Sequence, residues 1–130
     1  MKKIIIFMVA LMLLSACGQT KGNDQKMPYV NITAEEAKQI MDNEQGYIIL
    51  DVRAQEEFDQ GHIPNAILIP DTEITVKAES VLQDKDQLIL VYCRSGRRSK
   101  LAAEALVELG YTNIKEFGGI IDWPYEVVKP

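Results

Sequence analysis

The stretch LILVYCRSGRRSKLAAEALVELG, residues 88–110, contains the clearest strand and the clearest helix of the chain. Leu88 to Tyr92 is apolar throughout, as central strands of parallel sheets are. Arg98 to Leu109 is rich in alanine, leucine and glutamate, which favours a helix, and Gly110 is typical of the position just after a helix end. The pattern predicts one buried helix face, formed by Leu101, Ala102, Ala105, Leu106 and Leu109.

The rest of the chain predicts the same alternation of strands and helices. The predicted elements are a helix from Ala34 to Asn43 with a Thr33/Glu36 capping box, a strand from Tyr47 to Leu50 that ends at Asp51, a short helix from Gln55 to Gln60, an apolar run from Ala66 to Ile69, a weaker helix from Asp71 to Leu82, and a strand from Ile114 to Phe117. We therefore expect an α/β fold: a single domain with a mostly parallel central sheet and helices on both faces.

The chain begins with a segment that is typical of a bacterial secretory signal. Lys2 and Lys3 precede an apolar run of 11 residues, 4–14. As a helix this run would be about 16 Å long, too short for a hydrocarbon core of roughly 30 Å, so we interpret residues 1–16 as a signal peptide.

The residues that follow the apolar run indicate a lipid anchor. Residues 14–17 read Leu-Ser-Ala-Cys and resemble the bacterial lipobox, which implies cleavage before Cys17 and acylation of its thiol, for example with palmitate. Residues 17–28 are then the lipidated cysteine and a polar, flexible tether, and residues 29–130 are the folded domain. This predicts localisation at the cell membrane, lipid-anchored and on the extracytoplasmic side.

Composition excludes several classes of partner and cofactor. The chain has 130 residues and a net charge of −5, and residues 17–130 contain 12 basic and 19 acidic side chains, so we do not expect nucleic acid to bind. Two cysteines, one of them Cys17, rule out a disulfide framework. One histidine and no cysteine/histidine cluster argue against a metal site, and we expect no cofactor.

The loop after the clearest strand is the candidate site, because ligands of parallel sheets bind beyond the carboxyl ends of the strands. It begins with Cys93, and four of the 12 basic residues lie within residues 93–100. Backbone amides at a helix N-terminus, together with these cations, favour a thiolate over a thiol and attract anions. The alternative is a small buried cysteine beside a solvated arginine cluster.

The string VYCRSGRRS, residues 91–99, resembles the active-site loop of the rhodanese family of sulfurtransferases. Other rhodanese-like pieces occur in the family's order, and together they extend over about residues 32–124: Leu50-Asp51-Val52-Arg53, Glu56-Glu57-Phe58, Gly61-His62-Ile63-Pro64-Asn65-Ala66, Leu109-Gly110-Tyr111, and Gly118-Gly119 with Trp123.

The resemblance implies a thiosulfate sulfurtransferase in which Cys93 takes a sulfane sulfur from a donor such as thiosulfate, forms a persulfide and passes the outer sulfur to a thiophilic acceptor. Its partners would be a small anionic sulfur donor, a thiol or protein acceptor, and the membrane through the lipid anchor. Arg94 and Arg98 would hold the donor, whereas Arg97 is equally a surface residue. The implied substrate-binding residues are Arg94, Ser95, Gly96, Arg97, Arg98 and Ser99.

Loop length separates this chemistry from that of phosphatases with a related fold. Those enzymes need an arginine six positions after the cysteine, but that position here is Ser99, and Arg98 is at the fifth. Two further alternatives remain open: a rhodanese-like module that binds oxyanions or proteins, or carries sulfur, without turnover, and a thiol redox relay that depends on a partner's thiol.

Three other polar residues in the motifs have structural interpretations. Asp51 and Arg53 follow a strand, and in the family they look structural, tying the strand end to the segment around His62; the alternative is electrostatic tuning of the loop. His62 invites a Cys–His dyad, but we favour a hydrogen bond that stabilises a turn. We interpret Trp123 as a packing residue.

Overall fold

The computed structural model describes residues 29–130. The predicted signal peptide, Cys17 and the tether lie outside the described residues. Among residues 29–130, every helix is too short or too polar to span a bilayer.

Within residues 29–130, five strands form one sheet in which every pairing is parallel. The strands are β1 (Val30–Asn31), β2 (Ile48–Asp51), β3 (Ile67–Leu68), β4 (Ile89–Cys93) and β5 (Ile114–Gly119), arranged in the order β1-β5-β4-β2-β3. The helices are α1 (Ala34–Asn43), α2 (Gln55–Gln60), α3 (Ile74–Val81) and α4 (Arg97–Glu108), with 3₁₀ turns at Asp71–Glu73 and Ile120–Asp122. The predicted α/β class and parallel sheet are confirmed.

Strand β4 lies at the centre of the sheet, and all five of its residues are buried. Ile89, Val91 and Cys93 point to the face that α3 and α4 cover, whereas Leu90 and Tyr92 point to the face that α1 covers. Helices therefore cover both faces, as expected. This arrangement places Cys93 at the carboxyl end of the central strand, with the carboxyl ends of the neighbouring strands on either side.

Helix α4 is rotated relative to the prediction. Its buried residues are Ser99, Ala102, Ala103 and Leu106, which follow one helical stripe, and Leu101 is 52% exposed. The prediction was wrong for Leu101 because Ser99, a polar residue, occupies the buried face and sets the rotation of the helix. The helix ends as predicted: Gly110 has a φ of +97°, and the amides of Gly110 and Tyr111 cap the carbonyls of Val107 and Leu106.

Other parts of the chain also differ from the sequence prediction. Strand β1 was not predicted, because its two residues are exposed and it pairs only at the sheet edge. The weak helix predicted for residues 71–82 is a 3₁₀ turn followed by α3. Strand β4 begins and ends one residue later than predicted and so includes Cys93, and β5 continues from the predicted end at Phe117 to Gly119.

Candidate active site

Cys93 is the last residue of β4, and its side chain is fully buried. Three residues, 94–96, connect it to α4. The chain turns back at Gly96, whose φ of +103° is one that glycine adopts without strain, and the Gly96 amide donates a hydrogen bond to Cys93 Sγ at 3.0 Å. The sulfur is thus held against the backbone of the loop at the N-terminus of a helix, which favours negative charge.

The end of β5 and the residues just after it pack against this loop. Cys93 pairs with Gly119, and the carbonyl of Arg94 accepts a hydrogen bond from the Ile121 amide at 3.2 Å. A Cβ atom at Gly119 would lie 1.9 Å from that carbonyl oxygen, so no side chain fits there. Gly119 therefore has a steric role, which is to let the loop lie directly on the strand.

Ser99 connects Cys93 to a buried carboxylate. Its Oγ lies 3.3 Å from Cys93 Sγ and donates to Oε1 of Glu116 at 2.7 Å. Ser99 and Glu116 are 0% and 2% exposed, and Glu116 also accepts the Gly118 amide at 2.8 Å. Ser99 is among the site residues predicted from the sequence, whereas Glu116 was missed. The available signal was its position two residues after the apolar Ile114, which places both on the same face of β5.

The three arginines of the loop have different surroundings. Arg94 and Arg97 are exposed, and neither forms an ion pair within residues 29–130. Arg98 instead binds both carboxylate oxygens of Glu57 in α2, at 2.6 and 2.9 Å. The hydrogen bond from Arg98 lowers the pKa of Glu57 to about 2. In this state Arg98 is bound to a carboxylate, and Arg94, Arg97 and the neighbouring Lys100 are exposed cations.

Asp51 and Arg53 form a buried network on the neighbouring strand end. Arg53 donates to both Asp51 oxygens, at 2.7–3.1 Å, and to the Gly61 carbonyl at 2.7 Å. The Tyr92 hydroxyl donates to Asp51 at 2.6 Å and accepts the Ile63 amide at 3.1 Å. Burial, followed by the charge of Asp51, raises the pKa of Tyr92. The network ties the ends of β2 and β4 to the segment around residues 61–63.

His62 is engaged in that segment rather than with the cysteine. Its Nδ1 lies 3.0 Å from the Phe58 carbonyl oxygen, its ring stacks on Phe58 at 3.8 Å, and its backbone pairs with Val128. The hydrogen-bond partners of the Cys93 sulfur within residues 29–130 are Gly96 and Ser99. Trp123 is buried between two aromatic rings, those of Phe117 and Tyr125.

A surface cleft adjoins the loop at Arg94. It is lined on one side by polar residues of the β2–α2 region and on the other by apolar residues near the C-terminus: Arg53, Glu57, Gln60, Gly61, Arg94, Ile120, Ile121 and Val127. Residues 29–130 contain no group of three or more histidine, cysteine, aspartate or glutamate side chains placed to hold a metal ion.

Comparison with known proteins adds independent information on the domain. Residues 33–124 match the family model of the rhodanese-like domain. The chain is 39% identical over 80 residues to thiosulfate sulfurtransferase PspE of Escherichia coli strain K12, a match that spans 62% of this chain and 77% of that protein. It is 33% identical over 93 residues to a sulfurtransferase of Allochromatium vinosum, across 71% of this chain and 85% of the relative.

A solved structure described as rhodanese with anions from E. coli is also similar to the domain. It superposes with a TM-score of 0.61 at 37% identity, over 65% of this chain and 99% of that one.

Proposed function

This chain belongs to the rhodanese-like domain family, and on that premise we propose that it is a sulfurtransferase that carries a sulfane sulfur on Cys93. The observation that carries the proposal is the position of the sulfur. Cys93 Sγ lies at the carboxyl end of the central strand and accepts the Gly96 amide, with two exposed arginines in the same stretch of chain. A thiol in these surroundings is suited to react as a thiolate with an anionic donor.

The reaction with thiosulfate is a displacement at sulfur. The Cys93 thiolate attacks the sulfane sulfur, a new bond forms between Sγ and that sulfur, and sulfite leaves with the electron pair of the broken S–S bond. An acceptor nucleophile then attacks the outer sulfur of the persulfide, and the Cys93 thiolate is the leaving group. Charge and electrons balance in both steps, so no oxidant or cofactor is required.

Two features support an anionic donor of the thiosulfate type. Arg94 and Arg97 present accessible guanidinium groups at the loop, and guanidinium groups bind oxyanions through paired hydrogen bonds. The relative PspE is named a thiosulfate sulfurtransferase. We assign Arg98 a supporting role through Glu57, because its hydrogen bonds in this state go to that carboxylate.

The place of action follows from the N-terminal sequence. A basic start, a short apolar run and the lipobox-like residues 14–17 support a lipoprotein anchored through Cys17. The acceptor would then be a thiol or a protein on the extracytoplasmic side of the membrane.

Turnover with thiosulfate and cyanide tests the proposal. We expect the full chain to form thiocyanate and the Cys93→Ser variant to lose at least nine-tenths of that rate without loss of fold, because serine cannot form a persulfide. Cys17→Ser, which makes the same replacement at the other cysteine, is the matched control and should retain turnover. Residual activity above a tenth in Cys93→Ser would overturn the role of Cys93. A chain that binds thiosulfate but never releases thiocyanate would favour a binding module.

A further inference from the structure

Glu116 is a buried carboxylate two hydrogen bonds away from the reactive sulfur. It is 2% exposed, and within residues 29–130 no lysine, arginine or histidine forms an ion pair with it. Its contacts are the Ser99 hydroxyl and the Gly118 amide. Burying a carboxylate without a cation is costly, so a residue of this kind calls for an explanation beyond packing.

The hydrogen bonds link the Cys93 sulfur to the Glu116 carboxylate through Ser99. The Cys93 thiol donates to Ser99 Oγ at 3.3 Å. The Ser99 hydroxyl lies within reach of the Gly96 and Gly118 carbonyl oxygens, at 3.0 and 3.4 Å, but its nearest acceptor is Glu116 Oε1, at 2.7 Å. Ser99 carries a single hydroxyl hydrogen. While Cys93 is a thiol, the hydroxyl can donate this hydrogen to the Glu116 carboxylate. Once the Glu116 carboxyl group is protonated, the hydroxyl can donate it to a Cys93 thiolate instead. It cannot donate to both anions at once.

Charge gives the same constraint. If the Cys93 proton left for water, a thiolate and a carboxylate would lie close together while both side chains are buried from solvent. Two like charges in such surroundings disfavour each other strongly, and closely coupled groups then share one proton. Transfer of the proton from Cys93 to Glu116 instead keeps the charge of the pair at one negative unit.

We propose that Cys93 and Glu116 share one proton through Ser99, and that the thiolate forms by internal transfer along this chain. The S–H bond breaks and its electron pair stays on sulfur, while the proton bonds to Ser99 Oγ. The original Ser99 proton passes to Oε1 of Glu116. The products are a thiolate, an intact serine hydroxyl and a neutral carboxyl group. Glu116 is thus a positioning residue that holds the proton during sulfur transfer, and the inference rests on the sulfurtransferase role proposed above.

Other charged and titratable groups lie around Cys93, Ser99 and Glu116. Arg98 of α4 interacts with the charge of Cys93, and it also interacts with Glu57 of α2 and with Asp71 of the first 3₁₀ turn. On the other side, the charges of Glu104 in α4 and of Glu116 raise the pKa of Tyr29, after the larger effect of burial. Arg94 of the loop completes the set.

The pH profile of Cys93 reactivity tests this proposal. Single-turnover loading with thiosulfate, followed by intact mass, and alkylation by iodoacetamide are measured from about pH 6 to about pH 8. In the wild-type protein the thiolate fraction is set inside the pair, so both rates should change less than about threefold across this range. Glu116→Gln keeps the acceptor oxygen for Ser99 and Gly118 but cannot take a proton. Its rates should rise about tenfold per pH unit, and those of Ser99→Ala should do the same.

Glu104→Gln is the matched control, because it removes an equal charge from the exposed face of α4 and should keep the flat wild-type profile. The same slope in Glu116→Gln as in the wild type would overturn the shared proton. Rates for Glu116→Gln that exceed the wild-type rates by the same factor at every pH would overturn it too, since they would mean that the carboxylate only repels the thiolate. Alkylation reports on the proton chain even if thiosulfate does not load, so failure of the sulfurtransferase proposal and failure of this inference are distinguishable.

Discussion

At the scale of single residues, Gly119 controls the distance between the reactive loop and the sheet. Its backbone is ordinary extended strand, with φ −129° and ψ 152°, so it is not required there for a left-handed conformation. It is required because the Arg94 carbonyl occupies the space that a Cβ atom would take. The loop amides keep their position around Cys93 only while that space is free.

Gly119→Ala should therefore displace the loop and reduce sulfur loading of Cys93 by at least tenfold. We expect a loss of unfolding free energy of about 1–3 kcal/mol, as in other overpacked sites. Gly46→Ala is the control, since Gly46 has a φ of +78° but no atom within 4 Å of the position that a Cβ would take. It should cost about 1–2 kcal/mol from backbone strain and leave loading intact. Normal loading in Gly119→Ala would show that the loop does not depend on this contact.

At the scale of elements, one ion pair joins α2 to the start of α4. Arg98 and Glu57 are each about a quarter exposed and form two parallel hydrogen bonds. The pair is 41 residues apart in sequence. It holds the first turn of α4 in place, and the loop that follows Cys93 leads directly into that turn.

Glu57→Gln should lower the unfolding free energy at pH 7 by about 0.5–1 kcal/mol, the range for a partly exposed pair. Because the pKa of Glu57 is lowered from 4.5 to about 2, the contribution of the pair is present above pH 4.5 and is lost as the pH falls through 2. The stability difference from wild type should shrink over that interval in denaturant titrations. Glu56→Gln, an exposed neighbour in the same helix, should show no such narrowing. A difference that is independent of pH would contradict the assignment.

Most of these elements could be predicted from local patterns. Helix α1 has the bounds expected from its capping box, with the Glu36 amide on Thr33 Oγ1, and α2 and the Gly110 end of α4 are also as predicted. Local patterns could not place Leu101 on the exposed face, because the rotation of α4 depends on where Ser99 meets Glu116. Both the Glu57–Arg98 pair and the Ser99–Glu116 contact join residues distant in sequence, and a single sequence carries no signal for such pairs.

At the scale of the whole molecule, we assign anchoring and chemistry to different cysteines. Cys93 lies within the folded domain, and Cys17 lies in the N-terminal sequence outside the described residues. The two functions should therefore be separable by mutation.

In a bacterium with lipoprotein processing, we expect the wild-type protein to incorporate labelled fatty acid and to partition into detergent. Cys17→Ser should block both and leave sulfur transfer unchanged, because Cys17 precedes the proposed tether and Cys93 lies within the folded domain. Cys93→Ser should still incorporate fatty acid and partition into detergent, but it should lose sulfur transfer. If labelled fatty acid does not enter the wild-type protein, the lipobox interpretation is wrong and only the sulfurtransferase proposal stands.

The central claim is that Cys93 carries the transferred sulfur, and intact mass spectrometry tests it most directly. After incubation with thiosulfate and removal of excess donor, the protein should gain one sulfur atom, about 32 Da, which peptide mapping places on Cys93 and which cyanide or dithiothreitol removes. Cys17→Ser should gain the same mass, and Cys93→Ser should gain none. An unchanged mass in the wild-type protein, or a gain of one sulfur that survives in Cys93→Ser, would contradict the account.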